Sequence, residues 1–291
     1  QVLIVDFETA NHRRQAVDVG DDPRELLLSN DRTILWVSCR ADQKLQAIDP
    51  SAGRTLWQVE LPFPPHSLAE DRSGELLAVA DAFRGHIATL NAKTGEIITI
   101  HRYPATNIRG LAFTPNDQEL LFTHQIISEN SMIERESVRW GAFITNNVRR
   151  IPRGVLLDPS ADAVVRSELG FVGGFGHGAG DPGKLLYARE GRVLVCLAGV
   201  NEIGIDTGWP LRFDRIHVGR RPVDLAVDRE AKTAYVVNMF DDAISIIDLN
   251  KQQVVGSISL GSLPEETPAM RGEILFHDAS LSLDNWYSCQ S

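Results

Sequence analysis

The chain has 291 residues, 43% hydrophobic and 23% charged, with a formal net charge of −10. This is the composition of a globular chain able to bury a large core. The negative balance argues against a nucleic-acid partner, whose phosphates demand Lys and Arg. No run of 18 apolar residues is present to span a membrane.

The chain opens on Gln1 with no charged-then-apolar leader, so it reads as a piece of a longer polypeptide whose signal peptide is unobserved. The first runs, Val2–Asp6 and Ala16–Val19, have the look of two strands closing an incomplete unit. Five whole units follow. Their first strands are expected to begin at Pro23, Pro65, Ile108, Pro182 and Pro222, spaced 40 to 43 residues apart except for one gap of 74. A polar residue ends each third strand: Asp6, Asp49, Asn91, Asn146, Asp206 and Asp248. Asp and Asn suit that place because their side chains hold the following turn. The clearest unit has four short β-rich runs, starting at Pro222, Ala234, Ala243 and Gln253.

Four strands per period of about 42 residues make a propeller blade. The expected fold is an all-β propeller, with five whole blades and one partial blade over residues 1–261. Residues 262–291 are expected to be a Pro-rich linker and, on the resemblance given below, the start of another domain. The 74-residue gap is expected to hold two insertions, 125–139 between second and third strands and 150–181 between blades. Blade topology puts both on the face where first strands begin, the top, which is also where the chain leaves the last blade. The second insertion includes the glycine-rich run Gly170–Gly183 with His177 inside it, which reads as a compact loop allowing close backbone approach.

The top opening is expected to be lined by residues at first-strand starts, Arg24, His66, Arg109, Gly183 and Val223, and at second-strand ends, Cys39, Asp81, His124, Ala198 and Asn238. The candidate docking face comprises Arg24, His66, Arg109, His124 and His177, a locally basic mouth suited to a carboxylate or an acidic partner. No catalytic residue is assigned, because no nucleophile motif is present. No metal site is assigned either, although His66, His124 and Asp81 are weighed as one. Cys39 and Cys196 lie in apolar runs and read as buried free thiols, with a disulfide between them left open.

Two resemblances add to this. The Gly219–Pro222 start and Tyr235-Val236-Val237-Asn238 resemble the YVTN family of propellers, which implies a seven-bladed parent. The copies Trp36–Cys39, Ala78–Asp81 and Leu121–His124 depart from that motif. Further on, Gly272, Leu275, Phe276, Asp278, Leu281, Ser282, Ser288, Cys289 and Ser291 resemble the opening of di-haem cytochrome c peroxidase-like domains, over about twenty residues. In that reading Cys289 is the first Cys of a C-x-x-C-H haem attachment site, and the next two positions would be Cys-His. The resemblance implies a periplasmic or otherwise exported parent carrying haem c, with electron transfer or peroxide reduction as its chemistry. The propeller would then dock its own downstream haem domain, or recruit an electron-donor protein or a small molecule on its top face. Two other classes stand beside this one: a cell-envelope interaction propeller without chemistry, and a lactonase-like hydrolase working at the channel.

Overall fold

The computed structural model describes residues 1–5, 14–132, 134–188, 191–206, 208, 212–228, 230–262 and 265–291. A two-stranded antiparallel pair comes first, β1 (Val2–Val5) with β2 (Arg14–Val17). Five four-stranded antiparallel sheets follow, each in simple sequence order. Blade I is β3 (Pro23–Leu28), β4 (Leu35–Cys39), β5 (Lys44–Asp49) and β6 (Arg54–Glu60). Blade II is β7 (Pro65–Glu70), β8 (Leu76–Asp81), β9 (His86–Asn91) and β10 (Ile97–Arg102). Blade III is β11 (Thr106–Phe113), β12 (Glu119–Ile127), β13 (Ile144–Pro152) and β14 (Glu168–Phe171). Blade IV is β15 (Pro182–Tyr187), β16 (Val193–Leu197), β17 (Glu202–Asp206) and β18 (Asp214–His217). Blade V is β19 (Pro222–Val227), β20 (Thr233–Asn238), β21 (Ala243–Asp248) and β22 (Gln253–Ser259). This is the expected count of five whole blades and one partial blade.

The third-strand markers work as their chemistry requires. Asp49 Oδ1 accepts from the Ser51 and Ala52 amides, each at 3.0 Å. Asn91 Oδ1 accepts from Lys93 and Thr94, and Asp248 Oδ1 from Asn250 and Lys251, again at 3.0 Å. Each side chain replaces the strand partners that the turn backbone lacks.

First strands of successive blades lie side by side, β3 by β7, β7 by β11, β11 by β15 and β15 by β19. They surround the channel. Apolar side chains of inner and middle strands fill the wedges between blades, such as Trp36, Leu68 and Val79 between blades I and II. Hydroxyls on two second strands tie blade I to blade II and blade III to blade IV: Ser38 donates to His66 O at 2.8 Å and Thr123 to Gly183 O at 2.7 Å. Outer strands β6 and β22 are mostly exposed.

Four details depart from the sequence reading. The second strand of the partial blade is Arg14–Val17 rather than Ala16–Val19, and Asp6 lies outside the described residues. Blade III begins at Thr106, two residues before Ile108. Asn146 does not end a third strand. It sits near the start of β13, buried, paired with Gln125, and β13 runs on to Pro152, which cannot donate to a further ladder bond. Residues 150–181 are therefore not one loop on the top. Glu168–Phe171 pair with Asn147–Arg150 as the fourth strand. Residues 153–167, including α1 (Arg153–Leu156), turn back on the opposite face, where Val155, Leu156 and Ala163 join the core around Phe113, Leu120 and Ile151. Among the described residues the top is extended between Ile127 and Ile144, rather than over 125–139, because β12 runs on to Ile127, and by residues 172–181.

Among the described residues no helix is long and apolar enough to cross a membrane.

Candidate functional site: the channel mouth and the segment docked on it

A cavity of about 320 Å³ opens where the first strands begin. Arg24, His66, Arg109, Gly183 and Val223, the five residues expected from first-strand starts, all line it, and so does Ala198. Arg40, Lys184 and Arg221 add three more cations. Arg24 and Arg40 share Asp22, each at 2.6 Å. Burial pushes Asp22 up, but hydrogen bonds from Arg40 and Arg24 outweigh it and hold the carboxyl below its usual range. Lys184 pairs with Glu25 across the channel. Burial pulls Lys184 down, yet Glu25 keeps it above its ordinary value.

Arg109 and Arg221 are different. Neither meets a carboxylate within ion-pair distance among the described residues. Arg109 donates only a long 3.4 Å bond to Asn107 Oδ1. Burial, then Arg40, pushes it down to about 10, while Asp181 pulls the other way; it remains a cation at neutral pH. Burial also lowers Arg221. Its Nη2 donates to Gln290 Oε1 at 2.6 Å, and its Nη1 is buried without a partner. His66 is pushed down to about 3, by burial first and Arg109 next, so it faces this field uncharged.

The residues one position before Pro23, Ile108, Pro182 and Pro222 share an unusual backbone, and three of them, Asn107, Asp181 and Arg221, line the mouth. Asp22, Asn107, Asp181 and Arg221 have φ of 56°, 52°, 54° and 54°. Asn and Asp tolerate that region, whereas Arg does so at a cost. These positions recur at the same register before Pro23, Ile108, Pro182 and Pro222, so the repeat itself could have pointed to them. No such signal marks Gln290.

The chain after blade V passes through α2 (Pro268–Phe276) and returns to the mouth. Its last residues dock on the two top extensions. Trp286 is 3% exposed. A Cβ on Gly141 or Gly173 would come within 2.5 or 2.7 Å of its ring, and one on Gly178 within 2.5 Å of its backbone nitrogen. Gly178 N donates to Asp284 O at 2.6 Å, Gly180 N to Asn285 O at 3.0 Å and Ala279 N to Gly199 O at 2.8 Å. The expected close backbone approach at the glycine-rich loop is thus made to this segment. Ser288 and Ser291 each donate a hydroxyl to Asp181 at 2.6 Å. Asn107 donates to Gln125 Oε1, Gln125 Nε2 to Ser291 Oγ, and Asn146 Nδ2 to Trp286 O. A polar chain therefore runs from Arg109 to the docked segment. Cys289 sits exposed within it, a free thiol.

The remaining candidates lie elsewhere. His124 is fully buried in the middle of β12 beside Phe122, because β12 continues to Ile127. Burial first, then Arg149, lowers it to about 3. Asp81 is buried and holds His86 Nδ1 at 2.7 Å in a neighbouring cavity. His177 is exposed on the glycine-rich loop, where its carbonyl accepts from Arg215. No group of three or more His, Cys, Asp or Glu suited to a metal is found among the described residues. A larger cavity of about 860 Å³ lies at the turns of blades I and II on the opposite face. Its carboxylates Asp31, Asp49 and Glu70 are spent on turn hydrogen bonds.

Solved structures of similar shape agree on the architecture. The structure of Kuenenia stuttgartiensis hydrazine synthase superposes with a TM-score of 0.70 at 16% identity, covering 84% of this chain and 76% of that one. The WD40 repeats of RRP9 give 0.61 at 14% identity, covering 83% of this chain and 64% of that one. The chain has the β-propeller fold. A functionally unknown protein from Desulfotomaculum acetoxidans DSM 771 matches at 0.59 and 12% identity, over 80% of this chain and 68% of that one. No protein-family model and no curated protein sequence matches the chain. At these identities the likeness concerns the propeller alone.

Proposed function

We propose that this propeller is a docking scaffold that fixes the start of a downstream c-type haem domain on its top face. The observation that carries the reading is the seating of residues 277–291. A loose tail has no reason to bury Trp286 or to spend two serine hydroxyls on Asp181. Both top extensions, the second of them the glycine-rich loop, converge on this one segment, and long loops on a rigid scaffold are where function concentrates. The outcome is one exposed thiol, Cys289, held on a turn closed by Ser288 and Ser291.

Cys289 would supply one thioether. The second thiol and the axial His would follow Ser291, in line with the nine residues that resemble a di-haem peroxidase-like opening. A haem attached there would bring iron redox chemistry. This chain's residues would position the attachment point and keep a basic surface beside it. In this reading the parent is exported, because such haem is attached outside the cytoplasm.

The test extends the chain beyond Ser291 and expresses it with haem-attachment machinery in a periplasm. The reading expects Cys-His as the next two residues and a haem band that survives denaturing electrophoresis. Any other pair there, or no covalent haem, overturns it.

A further inference from the structure

We infer that the channel mouth is a binding site for a small organic carboxylate, gripped between Arg109 and Arg221. The inference stands on the mouth alone and is independent of any domain after Ser291. Two guanidinium groups without carboxylate partners border the same recess. Drawing such groups partly out of water without a paired counter-ion is costly, and an anion held between them would offset that cost. Arg221 Nη1 is a buried donor with nothing to donate to. Its backbone adds to the cost, since a φ of 54° is one an arginine rarely takes. Asp181 acts on both guanidinium groups, and Glu273 on Arg221, only from beyond ion-pair distance, and the two Asp181 oxygens accept from Ser288 and Ser291 rather than from either arginine.

The shape narrows the ligand. At about 320 Å³ the recess lies at the small end of ligand pockets. A nucleic-acid backbone or a folded partner does not fit such a recess. Pro182, Ala198 and Pro222 give part of the wall an apolar surface for a short hydrocarbon body. The cationic heads give the rest, and a guanidinium matches a carboxylate with two parallel hydrogen bonds. His66, uncharged beside them, is placed to accept or donate a hydrogen bond without adding repulsion. Gln290 reaches the same recess through Arg221, so the bound anion would lie against the docked segment.

The experiment is calorimetric titration of the chain at low ionic strength with succinate and acetate, and separately with inorganic phosphate and chloride. Saturable binding of a carboxylate is expected, weakened at least tenfold in Arg109→Gln and in Arg221→Gln. Arg102→Gln, an exposed arginine at the end of outer strand β10, should bind as wild type does. Without ligand, Arg109→Gln should melt no lower than wild type, because it removes a half-buried cation that has no ion-pair partner, and Arg221→Gln should keep the cooperative melt of a folded chain although it gives up the bond to Gln290. That control separates lost binding from lost folding. Absence of saturable carboxylate binding, equal binding of phosphate or chloride, or full affinity in both mouth variants each overturns the inference.

Discussion

Arg221 Nη2 and Gln290 Oε1 are 2.6 Å apart, and this bond joins the first strand of the last blade to the segment that follows it. The consequence is mechanical. Arg221 stands on the rim of the channel, while Gln290 neighbours the exposed thiol of Cys289. Through Asp181, Ser288 and Ser291 the same segment is bound to blade IV, and through Gln125 and Asn146 to blade III. Three blades therefore agree on where Cys289 sits.

Gly178 is the place to break that agreement. A methyl group there would press on the Trp286 nitrogen and on the Asn285 carbonyl, both backbone atoms that cannot swing aside. Gly178→Ala should release the segment after Ala279 and leave the propeller melting temperature nearly unchanged. Trp286→Ala should do the same by removing the anchor. Limited proteolysis reads the result: cleavage within 279–291 should become at least tenfold faster in both. A segment as resistant as wild type in both variants would show that the docking does not depend on this contact.

Cysteine chemistry offers an independent check. Cys39 and Cys196 are buried and free, and burial raises both thiols, so neither presents a thiolate to solvent. Cys289 is exposed. Titration with a chromogenic disulfide should find one fast thiol in the native chain and two more after denaturation. Cys289→Ser should abolish the fast phase alone. Two fast thiols, or a disulfide between Cys39 and Cys196, contradict the structure.

Stability should fall on mild acidification because of two histidines. His66 and His124 are both pushed down to about 3, in each case by burial first. Unfolding returns them to an ordinary value near 6.5. Below that value the unfolded chain takes up protons that the folded chain refuses. Their contribution is thus complete above about pH 6.5 and is lost as pH falls toward 3. Between pH 7.5 and 5.5 the loss is about 1.4 kcal/mol for each. Urea unfolding at those two values should show a drop of about 3 kcal/mol in wild type, roughly halved in His124→Leu or His66→Asn. This window precedes most carboxylate titration, so a flat wild-type profile across it would contradict the burial of both rings.

Much of this molecule was legible in its sequence because a blade repeats its chemistry. The Pro at first-strand starts and the Asp or Asn closing third strands fixed register, and register then located Arg24, His66 and Arg109 at the mouth. Blade III resisted. Its third strand is extended to nine residues and ends on Pro152, so Asn146, a buried residue near the start of that strand, imitates the marker. His124 was misplaced for the same reason, since β12 runs three residues past it. Arg221 was in plain register before Pro222, but its positive φ has no sequence sign in an arginine. Gln290 reaches the mouth through a contact 69 residues distant from Arg221, which no local pattern encodes.

The ion pair of Lys184 with Glu25 links blades IV and I across the channel and should be worth more than its separate parts. The side chains are 27% and 15% exposed, and Glu25 also accepts from Leu68 N at 3.0 Å. Removing one partner strands the other charge in a place where water reaches it poorly. Glu25→Gln and Lys184→Met should each cost about 2 to 3 kcal/mol. The double variant should cost less than their sum, with a coupling energy of about 1 to 2 kcal/mol. Chemical denaturation of all four proteins at one pH measures that term. Strict additivity would mean that the two charges are screened by water in the channel, and that the pair contributes no specific link between first and fourth blades.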